Sequence, residues 1–365
     1  VAQAQTAEKP ALLVVFLAGG HNAVFASADS FAAAGTFGVT ANNQRSLGNG
    51  LVVDAPTFGT LPAFALEHMA TVGVRHGIRD HGGGQNALMA DGTRSYALRL
   101  AAAMGGDASI KCANMGTRRV PGVRPPENGV SMQAITDMRS TIEALGGGTD
   151  ATAPDRAIAA QALTSSYGLS TDLIAQSPVL TRPMEEGYQA VIETLRQPVK
   201  TFSFPDLAMA YGLANNSTVV NNFASQLAGA ELMITAGANV VYTSDGGWDS
   251  HGDRTATTQR NMMTQRILPP LRTFLNRMLN APGRNVVVAM ISEFSRSLPG
   301  SDHAAALSAT VMGKYVKVGT TGKMTANVQL PMGTPSVPGL WAYLARQLNV
   351  AQAPFGPNPH TTLVL

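Results

Sequence analysis

Ala11–Leu17 (ALLVVFL) is an unbroken apolar run, rich in valine and leucine, that stops at Gly19-Gly20. Such a run predicts a parallel strand covered on both faces. Ala70–Val74 (ATVGV), Ser109–Ala113 (SIKCA), Asn239–Thr243 (NVVYT) and Asn285–Ile291 (NVVVAMI) read as further strands, and Ala305–Met312 and Lys314–Val318 as later candidates. Between them, Leu61–His68, Asn86–Met104, Val219–Ala236 and Thr255–Leu279 carry apolar residues at helical spacing, and Val337–Leu348 closes the pattern with Pro338-Gly339 at its start. Strand alternating with helix implies right-handed crossovers, hence an α/β fold with a mostly parallel central sheet flanked by helices. From Met132 to Leu195 the strand pattern stops, and segments such as Pro154–Tyr167 and Met184–Arg196 predict helices separated by turn residues. Residues 132–235 are therefore expected to form a mainly helical insertion or cap on a single α/β domain of residues 11–365, after a polar leader of residues 1–10.

Composition narrows the setting. Apolar residues make up 45% of the 365 and charged residues only 13%, against about 25% charged in an average soluble protein. The surface must then be covered largely by uncharged polar and small residues. With 26 Lys+Arg against 23 Asp+Glu, scattered along the chain, no basic stripe is available for nucleic acid. Cys112 is the only cysteine, which excludes an internal disulfide and a multi-cysteine metal site. No window reaches the roughly 18–20 apolar residues that cross a bilayer. The polar stretch Val1–Pro10 (VAQAQTAEKP) reads as what remains after a targeting peptide is removed, so export to the periplasm, cell surface or medium is expected.

In open parallel sheets, ligands bind beyond the carboxyl ends of the strands. Here those loops hold His21 and Asn22; His76, Arg79, Asp80 and His81; Asp245, Asp249 and His251; and Glu293 and Arg296, with Asp302 and His303 shortly after. Asp249 and His251 are spaced i,i+2 and share one side of an extended segment, so both can reach one cation. Mixed oxygen and imidazole donors suit zinc or manganese better than magnesium or calcium. Asp302 and His303 are adjacent and can chelate together only from a loop or bend. The plainer alternative is that Asp249 caps a helix and His251 bonds to backbone. His81-Gly82-Gly83-Gly84 is either an anion-binding helix N-terminus or a tight turn. Arg79 and Arg296 are candidates to clamp an anionic oxygen, the alternative being pairs with Asp80 and Glu293. Trp248 and His68 read as packing residues.

Four motifs, Phe16–Phe25 (FLAGGHNAVF), Arg79–Gly92 (RDHGGGQNALMADG), Gly247–His251 (GWDSH), and Ser292–Arg296 (SEFSR) with Ser301-Asp302-His303, resemble an exported bacterial family known as domain of unknown function 1501. That family is similar to the alkaline phosphatase and sulfatase superfamily and often carries a twin-arginine export signal. The resemblance implies an alkaline-phosphatase-like fold, a divalent metal held by Asp249, His251, Asp302 and His303, and catalytic roles for Asp80, His81, Arg79 and Arg296. Departures accompany it. Asn22 stands where the family usually has a carboxylate, Asp80 where it has a serine, and Ala304 where it has a glycine. An aspartate can act as ligand or nucleophile but does not replace a hydroxyl.

Two function classes follow. One is a metal-dependent phosphate- or sulfate-ester hydrolase acting on an anionic ester. The other is a catalytically degenerate member, without metal, that serves as a binding or assembly subunit, forming a homo-oligomer or a surface assembly through its weakly charged exterior.

Overall fold

The computed structural model describes residues 8–35, 39–118, 120–122, 125–145, 161, 164, 204–214, 217–298, 301–350 and 354–365. The expected helices Pro154–Tyr167 and Met184–Arg196 lie outside the described residues, apart from residues 161 and 164.

The central sheet has eight strands: β1 (Lys9–Leu17), β2 (Met69–Arg75), β3 (Cys112–Met115), β4 (Met132–Ile135), β5 (Val240–Asp245), β6 (Arg284–Ile291), β7 (Ala306–Gly313) and β8 (Gly319–Thr320). Their spatial order is β8-β2-β7-β6-β1-β5-β3-β4. All the pairings are parallel except the two that β7 makes, with β6 and β2. The mostly parallel α/β sheet expected from the sequence is thus present. β7 runs against its neighbours, so the residues that lead into it sit at the edge where the other strands end.

The apolar run of β1 alternates between two cores. Leu13, Val15 and Leu17 face one, together with Leu227, Leu232 and Ile234 of α3 (Phe223–Thr235) and Leu271 and Phe274 of α4 (Leu268–Met278). Leu12, Val14 and Phe16 face the other, with Leu98 and Leu100 of α2 (Tyr96–Met104) and Leu340, Trp341 and Leu344 of α5 (Val337–Gln347). Each such fully buried side chain contributes about 1.5–3 kcal/mol. Truncating Leu13 to alanine would cost about 2–5 kcal/mol through lost burial and the cavity left behind.

Three local departures have physical causes. The single helix expected over Asn86–Met104 is broken in two. α1 (His81–Met89) ends, Asp91-Gly92 turns the chain with Gly92 at φ 56°, and Ser95 caps α2 by accepting from Leu98 N–H. Thr255–Leu279 passes through a π-helical turn at Met263–Ile267 ahead of Pro269 and Pro270. Those prolines lack the N–H that a continuous α-helix needs there. Third, Met132–Ile135, expected to open a helical stretch, is instead the edge strand β4, paired with β3. Lys314–Val318 forms no strand of the sheet, and the short β8 follows it.

Candidate metal centre

Five chain segments meet at the carboxyl edge of the sheet, and two glycines let them approach. Gly19, at φ +123°, lies so close to the Trp248–Asp249 backbone that a Cβ there would sit 2.1 Å from Asp249 N. A Cβ on Gly20, at φ +89°, would enter the Phe294 ring at 2.5 Å. Only glycine accepts both the left-handed backbone and that crowding. Trp248 N–H donates to Ala18 O at 3.2 Å, and His21–Asn22 pairs with Ser295–Arg296. These contacts tie the loop after β1 to the loops after β5 and β6.

Glu293 is the hub of the buried side. Its carboxylate is fully buried and accepts from Gly19 N–H at 2.9 Å, Gln85 Nε2 at 3.1 Å and Ser292 Oγ at 3.1 Å, and it bonds His81 Nδ1 at 2.7 Å. His81 opens α1, whose N-cap is Asp80, and Asp80 Oδ1 accepts from Gly83 N–H at 2.6 Å. The helix N-terminus therefore already carries a carboxylate of its own.

With Nδ1 committed to Glu293, His81 turns Nε2 towards Asp249 Oδ2, 3.5 Å away. His303 is anchored in the same manner. Its Nδ1 bonds the carbonyl of Arg79 at 2.6 Å, its ring stacks on Phe294 at 4.1 Å, and its Nε2 lies 4.0 Å from Asp249 Oδ1. His251 Nε2 lies 3.3 Å from the same oxygen. His81, Asp249 and His303 each offer a donor atom within 4.8 Å of the others.

Arg296 is wholly buried at the back of this group. Its Nε donates to Gly19 O at 2.8 Å and Gly20 O at 3.0 Å, and its Nη1 to Ser301 O at 2.6 Å. Nη2 pairs with Asp249 and stands 3.2 Å from His303 Nε2. Partial burial works against ionisation of Asp249, but Arg296, His81 and His251 outweigh it and hold the carboxyl below its ordinary range. Burial lowers the His303 pKa, opposed by its bond to the Arg79 carbonyl and reinforced by Arg296, His81 and His251.

Of the residues expected to hold a metal, Asp249, His251 and His303 are together and Asp302 is not. Arg296 and His303 form an antiparallel bridge. Extended backbone sends successive side chains to opposite sides, and Asp302 lines a neighbouring cavity with Arg75 and Arg79. Among the residues expected to be catalytic, His81 is in the cluster. Asp80 contributes by starting the helix that carries it, and no hydrogen bond or ion pair joins the Asp80 carboxylate to the cluster among the described residues. Arg79 supplies its carbonyl. Arg296 pairs with Asp249 and not with Glu293. Trp248 is fully buried, with Nε1 donating to Asp245 Oδ2 at 2.9 Å, and His68 packs on Phe64 at 4.4 Å.

Residues 190–331 match the model of a family described as protein of unknown function (DUF1501). The matched span holds Asp249, His251, Glu293, Arg296 and His303, and leaves out Gly19 and His81. No curated protein and no solved structure matches the chain.

Proposed function

We propose that the chain is a metal-dependent hydrolase of alkaline-phosphatase-like fold, working on a phosphate or sulfate ester after export. The observation that carries this reading is the paired anchoring of His81 and His303. Each gives Nδ1 to an acceptor, Glu293 or the Arg79 carbonyl, and each turns Nε2 towards the half-exposed carboxylate of Asp249. Such outer partners fix the tautomer and raise the basicity of the inward nitrogen, as in metal-ligating histidines.

The donor set fits the group. Two imidazoles and one carboxylate suit zinc or manganese, whereas magnesium and calcium favour all-oxygen sites. His81, Asp249 and His303 would hold the ion, which would supply Lewis-acid polarisation of the ester oxygen. The protein's own groups do the rest. Arg296 fixes Asp249 from behind, its donors being taken up by carbonyls, that carboxylate and, at 3.2 Å, His303 Nε2, so it positions the site and does not clamp the substrate. At His303 Nε2, Arg296 would give way to a bound ion. His251, half exposed and 3.3 Å from Asp249, is placed to carry a proton between the site and solvent. Asp80 is engaged as a helix cap, which favours water over Asp80 as the nucleophile.

The test is hydrolysis of an aryl phosphate and an aryl sulfate with zinc or manganese added. His81→Ala and Asp249→Asn are each expected to lower the rate by on the order of 10²-fold or more. Wild-type rates in both variants would overturn the reading.

The degenerate assembly subunit has one specific observation in its favour. The Arg296 guanidinium already neutralises Asp249, and the family's usual carboxylate and serine are Asn22 and Asp80 in this chain. Light scattering that shows a stable homo-oligomer, together with no turnover and no metal uptake, would favour that alternative.

A further inference from the structure

We propose that the cavity beside the cluster is a second subsite, in which Arg75 and Arg79 bind an oxyanionic substituent of the substrate, phosphate or carboxylate. The subsite rests on the hydrolase reading only in that its ligand is called a substrate. The cavity holds about 420 Å³ and is bordered by Arg75, Arg79, Asp302, His303, Asn327 and Gln329 among others. That volume is ample for a phosphate or carboxylate together with the part of the substrate that carries it.

Its charge is unbalanced. Arg75 Nη2 donates to Leu330 O at 3.3 Å, and neither guanidinium is in an ion pair among the described residues. Two arginines and one carboxylate, Asp302, border the cavity, and Asp302 is likewise in no ion pair among those residues. Guanidinium groups present N–H donors in a planar fork that matches a carboxylate or phosphate. Asp302 would accept from a hydroxyl or ammonium next to the anion. The fitting ligand is therefore an ester with a second oxyanion flanked by a hydrogen-bond donor.

The cavity and the cluster share residues. His303 borders both, and Arg79, which also borders the cavity, holds His303 Nδ1 through its main-chain carbonyl. One substrate can thus place its ester at Asp249 and its second anion at Arg79. The far wall is held in an unusual conformation. Val328, buried and β-branched, has φ 56°, and its loop closes on itself through Thr325 N–H to Gln329 O at 3.1 Å and Val328 N–H to Thr325 O at 2.9 Å. A β-branched residue in the left-handed region is rare, and such outliers gather at ligand sites. Here it leaves the exposed amides of Asn327 and Gln329 at the cavity wall.

The test is calorimetric titration of inorganic phosphate, and separately acetate, into the full chain with a chelator present, so that no metal contributes. At least one anion should bind wild type saturably. Its affinity should fall about tenfold or more in the Arg75→Gln/Arg79→Gln double variant and change by less than about twofold in His81→Ala. Asp302→Asn, which leaves both arginines in place, should tighten binding by about twofold to fivefold. The stronger of the two anions identifies the group. No saturable binding of either anion, or unchanged affinity in the double and Asp302 variants, would overturn the subsite. Zinc titration of the same proteins separates the two ideas. Arginine-dependent anion binding without zinc uptake keeps the subsite and removes the metal centre, whereas zinc uptake with arginine-independent binding does the reverse.

Discussion

Two aspartate–arginine pairs in this molecule look alike on paper and differ in kind. Asp54 is enclosed, with a side-chain exposure of 0% against 16% for Arg260, which grips it through Nε and Nη2 while Thr57 Oγ1 donates to its other oxygen at 2.7 Å. Asp249 is the reverse, since its partner Arg296 is the buried member at 0% and the carboxylate itself is 50% exposed. Around Asp54 the charge is balanced and shut away. Around Asp249 three imidazoles converge on one open carboxylate. The Asp54 pair buries its anion, whereas the Asp249 pair buries its cation and leaves the anion reachable.

Substitutions should separate the two. Asp54→Ala leaves the largely buried Arg260 without its carboxylate, with only the Thr255 carbonyl accepting from its guanidinium among the described residues. It is expected to cost about 3–5 kcal/mol in chemical denaturation, with zinc uptake unchanged in whatever remains folded. Glu293→Gln removes the charge behind His81 and should weaken zinc binding by about 10–100-fold in a chelator competition. A wild-type affinity there would show that His81 needs no anchored carboxylate.

Buried imidazoles away from the cluster sharpen the contrast through pH. Burial pushes the pKa of His360 down to about 4 from 6.5. Above 6.5 both folded and unfolded states are neutral at this position. As pH falls through 6.5 the unfolded chain takes a proton that the folded chain refuses, so stability declines until about 4 and then levels. His360→Phe should flatten that decline by about 3 kcal/mol; denaturation curves at a series of pH values would show no change if the ring were solvated. Asp249→Asn leaves the buried Arg296 guanidinium without its carboxylate while the Gly19, Gly20 and Ser301 carbonyls still accept from it. A loss of about 1–3 kcal/mol is therefore expected in the same denaturation curves, and a wild-type curve would show that the carbonyls alone hold the charge.

The sequence reveals the sheet more readily than the site. β1, β5 and β6 are legible because strands buried on both faces cannot hide their apolar runs, and the loops after them announce themselves through Gly19-Gly20 and Gly246-Gly247. The antiparallel course of β7 is not legible, because direction within a sheet leaves no local mark on an apolar segment. Nor is the split of residues 86–104 into two helices obvious, since apolar spacing continues across the turn and only Asp91-Gly92 signals it.

At the site, Asp249, His251, His303 and His81 stand out as ligand types at strand ends. Glu293 is readable only as a partner for Arg296, because nothing local says that a carboxylate after β6 will bond a histidine 212 residues away. Asp302 shows the opposite failing. Adjacency to His303 in sequence suggests a shared role, but extended backbone turns neighbours apart.

The most direct test of the metal centre is a zinc titration of chelator-stripped protein by calorimetry, with His81→Ala and Asp249→Asn alongside. One ion per chain should bind to wild type, and binding should be lost or weakened by about tenfold or more in each variant. No saturable uptake, or the same stoichiometry and affinity in all three proteins, would contradict the assignment of His81, Asp249 and His303 as ligands.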